Sequence, residues 1–242
     1  MKSFLFLAAV VLITTTGFNT MWNSAKGIEG AWQLKTGTGE EVLLFVDGYF
    51  TLTTFNKDSK NFIQTRGGQY TLNNDQLFIQ FEFDTKNSTV VGEEKTYSVK
   101  FNGDDLLSNL DGSQQTFTRI DDGKAPLAGV WNITSRMQDE KLVPIHRTGT
   151  RKTLKILSGK RFQWAAIDPG AKQFMGTGGG TYTFENGKYT EHIEFFSRDS
   201  SRVGASLSFD GKLENGDWHH SGLSSKGDKI YEVWSKINSV KQ

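Results

Sequence analysis

Gly30-Ala31-Trp32-Gln33-Leu34 is answered 99 residues later by Gly129-Val130-Trp131-Asn132-Ile133. The correspondence stays collinear. Gly67-Gly68-Gln69-Tyr70-Thr71-Leu72 aligns with Gly179-Gly180-Thr181-Tyr182-Thr183-Phe184, Phe101-Asn102-Gly103 with Phe209-Asp210-Gly211, and Phe117-Thr118-Arg119-Ile120 with Trp234-Ser235-Lys236-Ile237. Short matches that keep their order along the chain mark an internal duplication. We therefore read two copies of one fold, 26–122 and 123–242. They join where Asp121-Asp122-Gly123-Lys124-Ala125-Pro126 brings charge, Gly and Pro together as a linker.

Within each copy the apolar period is two, the period of strands. Leu77, Ile79, Phe81 and Phe83 alternate with Phe78, Gln80 and Glu82; Phe162, Trp164 and Ala166 alternate with Arg161, Gln163 and Ala165. Asp47-Gly48, Asn73-Asn74, Asn102-Gly103, Asn186-Gly187, Asp210-Gly211 and Asn215-Gly216 supply the residues that tolerate tight hairpin turns. Gly176 to Gly180 reads as a glycine bend at a barrel corner, because no Lys-Ser/Thr follows it as a phosphate loop requires. Many short antiparallel strands, each with one apolar face, must pair two sheets or curl one closed, and closure removes exposed edges. The fold expected is all-β: two tandem up-and-down antiparallel barrels.

The 242 residues are 36% hydrophobic and 23% charged, with 26 Gly and 3 Pro, a globular composition. A formal net charge of +1 gives no global field for a polyanion, which argues against nucleic acid as a partner. The absence of Cys excludes disulfides, thiolate metal ligands, a Cys nucleophile and a lipidated N-terminal Cys. After Lys2, the apolar run Phe4 to Ile13 ends at Thr14-Thr15-Thr16-Gly17. It has the length of a signal-peptide core and is too short to span a bilayer. Residues 1–25 are therefore expected to be a cleaved leader, and the product a secreted or periplasmic protein with no membrane span.

Gly30-x-Trp32 and Gly129-x-Trp131 each open a copy, and Arg119 or Lys236 lies on the copy's last strand. This pattern resembles that of the lipocalins and calycins. Gly179-Gly180-Thr181-Tyr182-Thr183-Phe184 and Tyr231-Glu232-Val233-Trp234-Ser235-Lys236 look like parts of the small lipocalin-like domains of secreted bacterial proteins. The resemblance implies that Trp32 and Trp131 close the floors of two barrels, with Arg119 and Lys236 packed across them as cations over indole faces. It also implies an interior that holds a small molecule. The further loop motifs of full-length lipocalins are missing, so the transport role carries over weakly.

The two copies differ in what they offer a ligand. All four His, at 146, 192, 219 and 220, fall in the second. From Lys26 to Lys124 there are 10 basic and 15 acidic residues; from Ala125 onward there are 17 and 12. Arg147, Arg151, Lys152, Lys155, Lys160 and Arg161 follow one another without an intervening acid, as a solvated basic face or as a rim attractive to an anionic ligand. Glu191 is in phase with Tyr189 and Ile193 and so points inward, where the first copy has Ile79. A lone carboxylate among aromatics needs a partner, for which Tyr182, Tyr189, His220 and Lys152 are candidates, or else a wet cavity.

The expected ligand site is thus Phe162, Trp164, Tyr182, Tyr189, Glu191, Ile193, Phe195 and His220, taking a small hydrophobic or amphipathic, potentially anionic, molecule. Two alternatives stand beside it: filled barrels acting as a structural or adhesive module, and an acid–base isomerase-like enzyme using Glu191. His219 and His220 are adjacent on a strand, leave opposite faces and cannot easily share a metal; neither a metal nor a cofactor is called for.

Overall fold

The computed structural model describes residues 27–237 apart from 111, 147, 225 and 226. The expected leader, residues 1–25, and Arg147 of the basic segment therefore lie outside the described residues. The first barrel is an antiparallel meander of β1 (Gly30–Thr36), β2 (Gly39–Val46), β3 (Tyr49–Asn56), β4 (Asn61–Asn73), β5 (Gln76–Asp84), β6 (Glu94–Asn102), β7 (Asp105–Ser108) and β8 (Gln115–Asp121). Pairing of β1 with β8, Trp32 opposite Arg119, closes it. The second barrel uses β9 (Gly129–Gln138), β11 (Lys152–Leu157), β12 (Arg161–Asp168), β13 (Gln173–Glu185), β14 (Lys188–Phe196), β15 (Ser206–Glu214), β16 (Asp217–Leu223) and β17 (Lys229–Lys236). It closes between β9 and β17, Trp131 opposite Lys236, and carries an extra hairpin strand, β10 (Lys141–Pro144), paired only with β9. The protein is all-β, two closed eight-stranded antiparallel barrels in tandem. No helix among the described residues is long and apolar enough to cross a membrane.

The two floors are built alike. Trp32 Nε1 donates to the Ile28 carbonyl at 2.9 Å, and Trp131 Nε1 to that of Leu127 at 2.8 Å. The Arg119 guanidinium lies 3.9 Å from the Trp32 ring centroid and also donates to the Glu29 and Gly27 carbonyls. Lys236 Nζ stands farther from Trp131, at 5.3 Å, and donates to Ala128 O. A planar guanidinium stacks on an indole while also making a fork of hydrogen bonds; a lysine ammonium has no plane to stack.

The repeated Gly-Gly pairs mark a β-bulge in each barrel. Gly179 faces Phe195 and Gly180 faces Ile193, so Glu194 is an extra residue in β14; Gly67 and Gly68 stand in the same relation to Phe83 and Phe81. A Cβ on Gly180 would fall 2.0 Å from the His192 carbonyl oxygen, and one on Gly68 2.0 Å from that of Gln80, so the close approach of the strands requires glycine at both places. The bulge reverses the facing of everything after it. Phe195 therefore does not line the second barrel's interior, contrary to the alternation read from the sequence. It packs outward against Phe55 at 4.9 Å, while its neighbour Phe196 turns in against Trp164. The Gly176–Gly180 stretch is strand throughout rather than a corner bend. Asp210-Gly211 also lies inside a strand, β15, and the hairpin turn there is Asn215-Gly216.

The outer faces of the barrels form a shared apolar core. Val42, Leu44 and Val46 of β2 meet Leu154 and Ile156 of β11, Ala165 and Ile167 of β12, and Phe195 of β14. The arrangement is reciprocal. Phe83 stacks on Phe174 at 6.1 Å and its counterpart Phe195 on Phe62 at 6.4 Å. At the centre the Gln163 amide donates to Thr65 Oγ1 and Thr177 Oγ1 and accepts from Thr53 Oγ1, each at 3.0 Å, so this buried amide is satisfied at both ends. Asp121, read as the start of the linker, is the last residue of β8. Its carboxylate accepts from Ser158 Oγ at 2.8 Å and from the Gly159 and Lys160 amides at 2.9 Å, clamping the β11–β12 hairpin of the second barrel.

Candidate functional site

Strand register allows the interiors to be compared position by position. Trp32 faces Leu43 where Trp131 faces Lys155; Tyr70 faces Ile79 where Tyr182 faces Glu191. Ser108 and Gln115 pair where His220 and Glu232 pair. The first barrel is packed with Phe45, Phe50, Leu77, Ile79, Phe81, Phe117 and their neighbours, and the recess that reaches Phe81, Val90 and Tyr97 is smaller, about 210 Å³. In the second, Leu43 has become a lysine and Ile79 a glutamate, and the polar pair Ser108 and Gln115 is exchanged for His220 and Glu232.

These substitutions meet at one place. Lys155 Nζ lies 2.8 Å from Glu191 Oε1, with both side chains under a tenth exposed. The ammonium is surrounded by Tyr189, Trp218, Trp234 and Phe209 rings at 5.0 to 5.9 Å, an aromatic enclosure that suits a desolvated cation. His220 Nδ1 is 3.5 Å from Glu232 Oε2, which also accepts from Trp234 Nε1 at 3.0 Å. Burial, and then the Lys155 charge, pull His220 below the ordinary imidazole range, outweighing the Glu232 carboxylate beside it. Burial alone would raise Glu232, but the adjoining His220, the Lys155 charge and the Trp234 N–H together hold it below the usual carboxylate range. Burial, then the Glu191 charge, push the Tyr189 hydroxyl well above its ordinary value. Neither ring nitrogen of His220 has a hydrogen-bond partner in good geometry among the described residues, and the Tyr189 hydroxyl and Trp218 Nε1 are likewise unsatisfied. Unpaired buried polar atoms are costly, and here they cluster beside an open space.

That space is a cavity of about 580 Å³ in the second barrel. Its polar side carries Lys155, Glu191, His220 and Glu232; Trp164, Phe196, Phe209 and Trp234 are prominent on its apolar side, and Asp199 and Arg202 stand at the 3-10 turn on its border. Asp199 and Arg202 pair at 3.1 Å. Thr153, Glu232 and Trp234 also belong to a neighbouring depression of about 480 Å³ that reaches Arg136, His146 and Arg151.

Of the residues expected to line the site, Trp164, Glu191, Ile193 and His220 do so. Phe162, Tyr182 and Tyr189 are interior but pack in the apolar core beside the cavity, and Phe195 is in the shared core between barrels. Tyr182 is not the partner of Glu191, since its hydroxyl donates to Ser158 O at 2.7 Å. Nor is Lys152, which reaches across to Glu82 of the first barrel at 2.7 Å. Arg161 pairs with Glu194 at 2.6 Å. Three charges of the basic segment, Lys152, Lys155 and Arg161, are therefore committed to carboxylates rather than forming a free rim. Of the other His, His192 Nδ1 contacts Ser206 Oγ at 2.8 Å and His219 Nδ1 contacts the Tyr231 hydroxyl at 2.9 Å.

Lys155, Phe196, Phe209, Glu232 and Trp234 were missed as site residues. In β11 the apolar alternates, Leu154 and Ile156, face the other barrel, so Lys155 faces inward where a charge was read as outward. The signal was present in the alignment of Leu154-Lys155-Ile156 with Val42-Leu43-Leu44.

No protein-family model matches the chain, and no curated protein matches its sequence.

Proposed function

We propose that the second barrel binds a small amphipathic molecule, the more tightly packed first barrel serving as its structural partner. The observation that carries this reading is the cavity lined on one side by aromatic and aliphatic groups and on the other by Lys155, Glu191, His220 and Glu232, at positions that are apolar or uncharged in the first barrel. The ligand's apolar part would lie against Trp164, Phe196 and Leu207, and its head would satisfy His220. Filled barrels would not leave such a space, and Glu191, ion-paired to Lys155, is not the isolated carboxylate that acid–base turnover was premised on. The apolar run after Lys2 supports an exported protein acting outside the cytoplasm.

Titration of the full chain with the uncharged fluorescent probe N-phenyl-1-naphthylamine tests the reading. One saturable site is expected, lost in Ala205→Trp, which fills the cavity from its wall, while circular dichroism stays unchanged. Absence of saturable binding, or binding indifferent to Ala205→Trp in a folded variant, overturns it.

A further inference from the structure

We propose that the preferred ligand is an amphipathic amine, its ammonium seated at Glu232 and its chain on the aromatic wall of the second barrel's cavity. This rests on the cavity being a binding site and adds the chemical class of the head. The charged groups lining the cavity are Lys155, Glu191, Asp199, Arg202 and Glu232. Lys155 is matched by Glu191 at 2.8 Å and Arg202 by Asp199 at 3.1 Å, which leaves Glu232 as the one carboxylate without a cation in ion-pair contact among the described residues. Its polar neighbours are the Trp234 N–H, which donates to it at 3.0 Å, and the His220 imidazole at 3.5 Å, which burial keeps neutral. Arg136 stands opposite Glu232 in the β9–β17 ladder but forms no ion pair with it; it is solvent-exposed and turns to the Gln138 side-chain amide.

A carboxylate head is disfavoured by the same geometry. To reach Lys155 it must displace Glu191, whose side chain is 6% exposed and would be left charged, buried and unpaired. An ammonium makes no such demand. It completes the charge balance at Glu232, next to Trp164, Phe209 and Trp234, whose ring faces attract cations. The enclosure around Lys155 shows that the aromatic groups of this interior already hold one alkylammonium. Nδ1 of His220 is the ring nitrogen nearer Glu232, at 3.5 Å, and Nε2 is buried without a hydrogen-bond partner among the described residues; with the proton on Nδ1, Nε2 would accept an N–H of the bound ammonium. In the first barrel the position of Glu232 is Gln115, which carries no charge to offer.

The test is competition against the bound naphthylamine probe by three ligands that share one chain: octylamine, octanol and octanoate, at neutral pH, on the full chain. Octylamine is expected to bind about tenfold more tightly than octanol, with octanoate weakest. Glu232→Gln is expected to bring octylamine to within about twofold of octanol and leave octanol unchanged. Equal affinities, octanoate binding tightest, or an amine preference that survives Glu232→Gln overturns the assignment. Should that variant not fold, the native protein still decides. Amine affinity must fall as salt rises from about 0.02 to 0.5 M while octanol affinity holds, and a salt-independent amine overturns the proposal. Displacement of the probe by octanol but not octylamine refutes the amine alone; failure of the probe itself to bind refutes the cavity reading and this inference with it.

Discussion

Replacing Lys155 by Leu, the residue at the same place in the first barrel, removes the cation that pairs with the buried Glu191 carboxylate among the described residues. Breaking a buried pair from one side costs about 3–5 kcal/mol, because the remaining charge is stranded. For a chain of this size that is a fall in melting temperature on the order of 10 °C. Glu191→Ile alone should cost less, since four ring faces at 5.0 to 5.9 Å still surround the ammonium. The double variant Lys155→Leu/Glu191→Ile reconstructs the Leu43 and Ile79 of the first barrel, where both side chains are fully buried. Exchanging a buried ion pair for packed hydrophobes is neutral or stabilising by about 1–4 kcal/mol, so the double variant should equal or exceed the native protein. The coupling energy from the cycle is then at least about 3 kcal/mol. Urea unfolding followed by tryptophan fluorescence and by circular dichroism measures all four proteins. A double variant no more stable than Lys155→Leu, or a single variant costing under about 1 kcal/mol, would refute the equivalence of the two interiors on which this rests.

Asp121→Ala should cost about 2–3 kcal/mol by stranding three donors of the β11–β12 hairpin, and hydrogen exchange should accelerate at Gly159 and Lys160. Arg119→Ala should destabilise more than Lys236→Ala, by about 2 against about 1 kcal/mol in urea unfolding, because the guanidinium lies closer to its indole and donates to two backbone carbonyls. His220 has its folded pKa lowered, chiefly by burial, so as pH falls through about 6.5 the unfolded chain takes up a proton that the folded one refuses. Stability should therefore decline on the acid side of neutrality, and His220→Gln should flatten that slope between about pH 7 and 5; an unchanged slope would show that His220 is not held neutral.

What the sequence disclosed and what it withheld divide along one line. The inward aim of Glu191 depends only on local alternation and on the repeat, whereas the pairing of a Trp with a basic residue across each barrel floor is implied by the resemblance to the lipocalin pattern. Both were legible, and the register places Trp131 beside Lys236 and Glu191 inside. Phe195 was misjudged because a single inserted residue, Glu194, changes the parity of a strand without changing its composition. Lys155 was missed because alternation reports which face is apolar and not which face is inside; between two packed barrels the outer face is the more apolar. The alignment of Phe101 with Phe209 slipped for a related reason. Ladder register pairs Leu77 with Tyr97 and Tyr189 with Phe209, so Phe209 corresponds to Tyr97.

The reciprocal packing of the barrels has a consequence for how the chain must assemble. The apolar part of each outer face is nearly its own complement, with Phe83 on Phe174 answered by Phe195 on Phe62, so either face could also meet its like on another molecule, though without the Lys152–Glu82 pair. Only a short stretch separates the end of β8 at Asp121 from the start of β9 at Gly129. That tether holds the correct partner at a local concentration on the order of millimolar, far above what intermolecular competitors reach. The tether thus acts as a kinetic chaperone, making the productive encounter intramolecular. Lengthening it would not weaken a single contact in the folded state, yet would let exchanged dimers and open chains of barrels compete during refolding at high protein concentration.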